Sequence, residues 1–168
     1  MVKKNRAIFL DRDGIINIER NDYTFRIEDF EFVTGIIESL KKLQNAGFLL
    51  IVISNQGGIA KGLYTITDVE IVHKFMNDKL NENGVFLTEV YYCPHYPSIG
   101  KCICRKPDTV MIEKALARFN ISSENSYFIG DRETDIEAAN RCKIKSFLVK
   151  DNQPITDIVK LIISESHE

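Results

Sequence analysis

The sequence predicts an α/β fold in which an open parallel sheet is flanked by helices. Five short apolar-rich runs recur along the chain: Ala7–Leu10, Phe48–Ile53, Glu89–Tyr92, Ser126–Ile129 and Ser146–Val149. Runs with so little alternation suit parallel strands buried on both faces. Amphipathic stretches lie between them, and strands alternating with helices form such sheets through right-handed crossovers. Polar residues follow the strand ends, where ligands bind in sheets of this kind.

The elements follow in order. Ala7–Leu10 is the first strand, and Gly14 lets the chain turn just beyond it. Ile15–Thr34 is too long for a tight loop and too short for a separate cap domain, so the site should be fairly open. Ile36, Ile37, Leu40 and Leu43 have helical spacing, with Gly47 as the stop. After the second strand, Val69, Val72, Phe75, Met76 and Leu80 predict another helix, with Thr67 as its N-cap. Val110, Ile112, Ala115, Leu116 and Phe119 form a third helix, Ile136, Ala138 and Ala139 a fourth, and Ile155–Ile163 the last.

Composition narrows the class. A length of 168 residues predicts one domain, 1–168, with a full core. A hydrophobic share of 44% against 27% charged is that of a soluble globular protein. The net charge of -2 disfavours nucleic acid as a partner. No apolar run approaches the ~20 residues of a membrane span, and the basic start Met1–Arg6 meets too few apolar residues to be a signal peptide. Cys93, Cys102 and Cys104 cluster around His95 while Cys142 stands alone, which suits metal binding in a reducing cytoplasm. The expectation is a cytoplasmic monomer.

Asp11-Arg12-Asp13-Gly14 ends the first strand with two carboxylates one residue apart. Side chains alternate with a period of two, so both leave on the same side. Crowded carboxylates need a cation between them or a proton on one; magnesium and a phosphate ester meet both needs. Asp11 is then the nucleophile of an aspartyl-phosphate mechanism. Asp13 protonates the leaving alkoxide and later takes a proton from water. Asp131, after the fourth strand, closes the magnesium site. The Ser54 hydroxyl and the backbone after it bind phosphoryl oxygens, with Gly57 and Gly58 allowing close approach. Arg105 and Lys106 supply positive charge. A phosphoryl dianion with ionised Asp11 and Asp131 is balanced by magnesium, Lys106 and Arg105, provided Asp13 is neutral.

Cys93, His95, Cys102 and Cys104, inserted after the third strand at 93–104, can close a tetrahedral zinc site. Four protein ligands leave no open position, so the zinc is structural and stiffens the segment that delivers Arg105 and Lys106. His73, His167 and Cys142 receive no role.

The motifs FLDRDGIIN, SNQGGIAKG, YYCPHYP, CICRKP and FIGDRETD together resemble the haloacid dehalogenase superfamily, in its capless zinc-containing branch. The resemblance spans roughly residues 5–163 and implies a Rossmann-like phosphatase core without a cap. It implies magnesium on Asp11, Asp131 and the Asp13 backbone carbonyl, zinc on the Cys/His quartet, and Ser54 and Lys106 on the phosphoryl group. It also implies substrate contacts from Arg12, Glu19, Arg20, Asn21, Asp22, Asn55, Gln56, Gly57, Arg105 and Arg132. Two small phosphorylated substrates stay open. NQGGIAKG and IEDFEF favour a heptose bisphosphate, whereas the short loop from His95 to Cys102 is closer to the histidinol-phosphate type. A phospho-accepting receiver domain is the alternative from another class, but receivers lack the acid/base that Asp13 supplies.

Overall fold

The computed structural model describes residues 4–166. Among these, β1 (Arg6–Leu10), β2 (Phe48–Asn55), β3 (Glu89–Cys93), β4 (Tyr127–Gly130) and β5 (Lys145–Leu148) form one parallel sheet in the order β3-β2-β1-β4-β5. The chain winds outward from β1 to one edge, then returns to build the other. The order reverses at β1, so a crevice opens where β1 meets its two neighbours. Register pairs Leu10 with Val52 on one side and with Ile129 on the other.

Alternation along β1 divides the core. Ile8 and Leu10 face α1 (Ile36–Asn45), α2 (Ile66–Glu82) and α5 (Thr156–Glu165) through Leu40, Val72, Met76 and Ile162. Ala7 and Phe9 face α3 (Val110–Arg118) and α4 (Glu133–Arg141) through Ile112, Ala115, Ala138 and Ala139. Helices on both faces account for the unbroken apolar character of β1 and β2. The edge strands depart from the expected double burial. β3 is half-buried up to Cys93, and β5 is exposed or half-buried along its length, because an edge strand has one neighbour and partial helix cover.

Thr65, not Thr67, caps α2. Its hydroxyl accepts from the Asp68 N–H, and the Asp68 carboxylate accepts from the Thr65 N–H. That reciprocal box outweighs a hydroxyl two residues further on. Cys142 stands at the C-terminal end of α4. His167 lies outside the described residues. No helix among the described residues is long and apolar enough to cross a membrane.

Candidate active site

The carboxyl ends of β1, β2 and β4, with the segment after β3, surround a cleft of about 600 Å³. On its floor, the Asp11 Oδ1 atom lies 3.0 Å from the Lys106 ammonium. Lys106 also lies 2.6 Å from Asp135 Oδ1 and donates to the Ile53 carbonyl at 2.6 Å. Burial alone would lower the Lys106 pKa, but Asp11 and Asp135 hold it above the ordinary value. Burial pushes Asp11 well up, Asp135 adds to the rise, and Lys106 opposes it. Asn55 explains how the lysine arrives: its amide accepts from the Lys106 N–H at 3.0 Å and donates to the Lys106 carbonyl at 3.1 Å.

Three carboxylates converge: Asp11, Asp131 and Asp135 can each offer an oxygen within 4.8 Å of the others. Asp135 ends the run that begins at Gly130, yet strand-end reasoning stops at Asp131. Counting one positive charge from Lys106, the three acids leave a formal -2. Asp131 Oδ1 is buried without a hydrogen-bond partner, and burial raises the Asp131 pKa. A hard divalent cation fits this donor set, because it supplies both the missing charge and a partner for the orphaned oxygen. The expected charge balance omitted Asp135. Gly14 is tied to this cluster. Its φ is +86°, and a Cβ there would sit 2.6 Å from Asp131 Oδ2.

Asp13 lines the same cleft but is held by different partners. Arg12 Nη2 donates to it at 2.8 Å, Asn17 Nδ2 at 2.9 Å and Gln56 Nε2 at 3.0 Å. Burial alone would raise the carboxyl, yet Arg12 and these bonds hold it below the usual range. The expected neutral acid is therefore an ionised carboxylate here, since every one of those neighbours is a donor. With the side chain so engaged, its backbone carbonyl is what Asp13 has left for a cation.

Several expected substrate residues occupy other posts. Arg12 is fully buried, donating to Asp13 and the Thr24 carbonyl and lying 3.2 Å from His73 Nε2. That contact requires a neutral imidazole with Nε2 as acceptor, so His73 has a structural part the sequence did not suggest. Gln56 is 1% exposed and turned to Asp13, Ser54 and Tyr64 rather than to the cleft. Arg20 pairs with Asp29 at 2.7 Å and stands outside the lining. Ser54 is fully buried, its Oγ accepting from Gln56. A Cβ on Gly58 would meet the Tyr64 ring at 2.2 Å, so that glycine makes room for the ring.

Glu19, Asn21, Asp22, Asn55, Gly57, Arg105 and Arg132 do line the cleft. Glu19 is braced on both ends: Arg132 reaches its carboxylate at 2.9 Å, and Asn152 accepts from its N–H while donating to its carbonyl. Arg105 donates to the His95 carbonyl at 3.1 Å. Lys61 and Tyr96 join the wall, with the ammonium 3.8 Å from the ring centre. The Lys61–Tyr96 contact links segments far apart in the chain and has no sequence signal.

Next to the cleft, one ligand atom each from Cys93, His95, Cys102 and Cys104 falls within 4.8 Å of the rest. Thiolates bound at ~2.3 Å to a tetrahedral zinc stand about 3.8 Å apart; Cys93 Sγ is 3.8 Å from Cys102 Sγ, while Cys104 Sγ approaches Cys93 Sγ to 2.9 Å. The donor set and its convergence fit zinc. The cluster ends one residue before Arg105, where the expected stiffening would act.

Residues 103–159 match the family model described as HAD-hydrolase-like. The chain is 40% identical over 161 residues to the D-glycero-alpha-D-manno-heptose-1,7-bisphosphate 7-phosphatase of Photorhabdus laumondii, covering 92% of this chain and 87% of that protein. It is 42% identical over 156 residues to the D-glycero-beta-D-manno-heptose-1,7-bisphosphate 7-phosphatase of Helicobacter pylori J99, covering 92% and 88%. In three dimensions it is similar, with a TM-score of 0.86 and 22% identity, to the D,D-heptose 1,7-bisphosphate phosphatase of B. bronchiseptica complexed with magnesium and phosphate. That match covers 95% of this chain and 99% of the other.

Proposed function

The chain belongs to the haloacid-dehalogenase-like hydrolases, in the group of the heptose 1,7-bisphosphate 7-phosphatases, and from that premise we propose that it removes the C7 phosphate of D-glycero-D-manno-heptose 1,7-bisphosphate through an aspartyl-phosphate on Asp11. The observation that carries the chemistry is the buried Asp11–Lys106 pair beside Asp131 and Asp135 on the cleft floor. Relatives 40% identical over nearly the whole chain support the substrate.

Phosphate monoesters are among the slowest esters to hydrolyse, so the reaction is divided. An Asp11 oxygen bonds to phosphorus as the bond from phosphorus to the sugar oxygen breaks. Lys106 holds Asp11 in place and offsets charge on the phosphoryl group. The incoming dianion sits beside Asp13, and like charge favours its protonated form. Asp13 then gives that proton to the departing sugar oxygen. In the second half, Asp13 takes a proton from water as the water oxygen attacks phosphorus, which releases inorganic phosphate and restores Asp11. Asp11, the Asp13 backbone carbonyl and Asp131 would hold magnesium, with Asp135 beside them on Lys106; when bound, the ion neutralises phosphoryl charge and orients the ester. The Cys93, His95, Cys102 and Cys104 quartet would hold structural zinc. The same reading takes residues 1–168 as a single catalytic domain, a cytoplasmic monomer with no nucleic-acid partner; the net charge of -2 supports the last point.

The short loop from His95 to Cys102 favours one other substrate, histidinol phosphate. Turnover should be compared with magnesium present on both anomers of the heptose bisphosphate and on histidinol phosphate. Faster release of the C7 phosphate from a heptose anomer is expected, and a preference for histidinol phosphate would overturn the substrate assignment.

A further inference from the structure

We propose that Tyr64 is a positioning residue for phosphoryl transfer, acting through Gln56 to orient Asp13 and Ser54 together. The proposal rests on the phosphatase reading above and adds a residue to it.

The Tyr64 hydroxyl donates to Gln56 Oε1 at 2.8 Å. The other end of that amide, Nε2, donates to Asp13 Oδ2 at 3.0 Å and to Ser54 Oγ at 2.8 Å. One buried amide thus joins Asp13, the proton donor of the proposed reaction, to the buried Ser54 hydroxyl. Neither Gln56 nor Tyr64 is accessible, at 1% and 5% exposure. The Gln56 backbone is fixed as well, its N–H donating to the Cys93 carbonyl at 2.7 Å.

An amide can sit two ways up, and only one works here. Turned over, it would set Oε1, on an amide only 1% exposed, against the Asp13 carboxylate, an acceptor facing an acceptor. The phenol donor on Oε1 stabilises the productive orientation. Tyr64 can serve because its own ring is locked: it stacks on Phe25 at 5.0 Å and 9°, and it rests against Gly58. Arg12 and Asn17 donate to Asp13 Oδ1 at 2.8 and 2.9 Å, whereas Oδ2 takes Gln56 at 3.0 Å and a longer bond from Arg12 at 3.1 Å. Loosening Gln56 would leave Oδ2 with the Arg12 bond alone and let the carboxyl turn towards the guanidinium, which misdirects its proton.

The test uses Tyr64→Phe, which keeps the stacked ring and removes the hydroxyl. In single turnovers, release of the sugar from heptose bisphosphate is compared with release of nitrophenol from p-nitrophenyl phosphate. A sugar alkoxide needs protonation to leave, whereas nitrophenolate does not. Sugar release should fall about tenfold and nitrophenol release no more than about twofold, on the scale of one lost buried hydrogen bond. A general structural effect would lower both rates alike, and that result would overturn the proposal, as would no change in either. The pairing is tested separately: Tyr64→Phe should add nothing to Gln56→Leu if the phenol acts through the amide. Additive losses would contradict it. A wild-type enzyme active on the aryl ester but inert towards the heptose bisphosphate would reject the substrate reading alone. A simple alkyl phosphate would then carry the same comparison.

Discussion

The Lys106 ammonium lies 3.0 Å from the Asp11 carboxylate, and both groups are almost sealed from solvent. The same ammonium reaches Asp135, so one lysine counters two buried acids. Removing one partner of a buried ion pair leaves the other uncompensated, at a cost of about 3–5 kcal/mol. Lys106→Met should therefore abolish measurable turnover and lower unfolding free energy by that order in denaturant titrations. A variant within about 1 kcal/mol of the wild type would show that the pair contributes no more than a surface bridge.

His73 makes stability depend on pH. Burial, followed by the charge of Arg12, pushes its pKa down from 6.5 to about 3. Between those values the unfolded chain binds a proton that the folded protein refuses. Stability is complete above pH 6.5 and is lost as pH falls through the window, with a slope approaching ~1.4 kcal/mol per pH unit. Urea titrations between pH 7.5 and 4 should show a shallower decline for His73→Gln, whose amide oxygen can still accept from Arg12. Equal slopes in the two proteins would contradict a neutral, buried His73.

The proposed zinc quartet should bear on activity rather than on the sheet. Cys93 ends β3 and belongs to the core, but Cys102 and Cys104 lie on the loop that leads to Arg105 and Lys106. Stripping zinc should speed hydrogen exchange across residues 93–106 and lower turnover, while β1 and β2 keep their protection. Cooperative loss of the whole sheet on chelation would refute a local role.

The convergence of Asp11, Lys106 and Asp131 was legible because strand ends in a parallel sheet share one edge, whereas Ser54 is fully buried and turned to Gln56. The central strands were legible for a related reason: burial on both faces leaves an unbroken apolar run, as in Ile8–Leu10. Side-chain direction beyond the strand ends was not. Arg12 and Gln56 sit in turns with no period to aim them, and both point inward to Asp13 instead of outward to substrate. Tyr64 and His73 matter through contacts made across space, eight residues from Gln56 and sixty-one from Arg12. Asp135 was present in the motif, but its approach to Lys106 depends on how α4 begins.

The central claim is that phosphorus bonds transiently to the carboxylate at position 11. Acyl phosphates are reduced by borohydride, so enzyme quenched with it during turnover, with magnesium present, should carry homoserine at position 11 and not at 13, 131 or 135. Peptide mass spectrometry reads the outcome. An unmodified Asp11 in enzyme that is turning over substrate, or the reduced residue at another of those positions, would contradict the account.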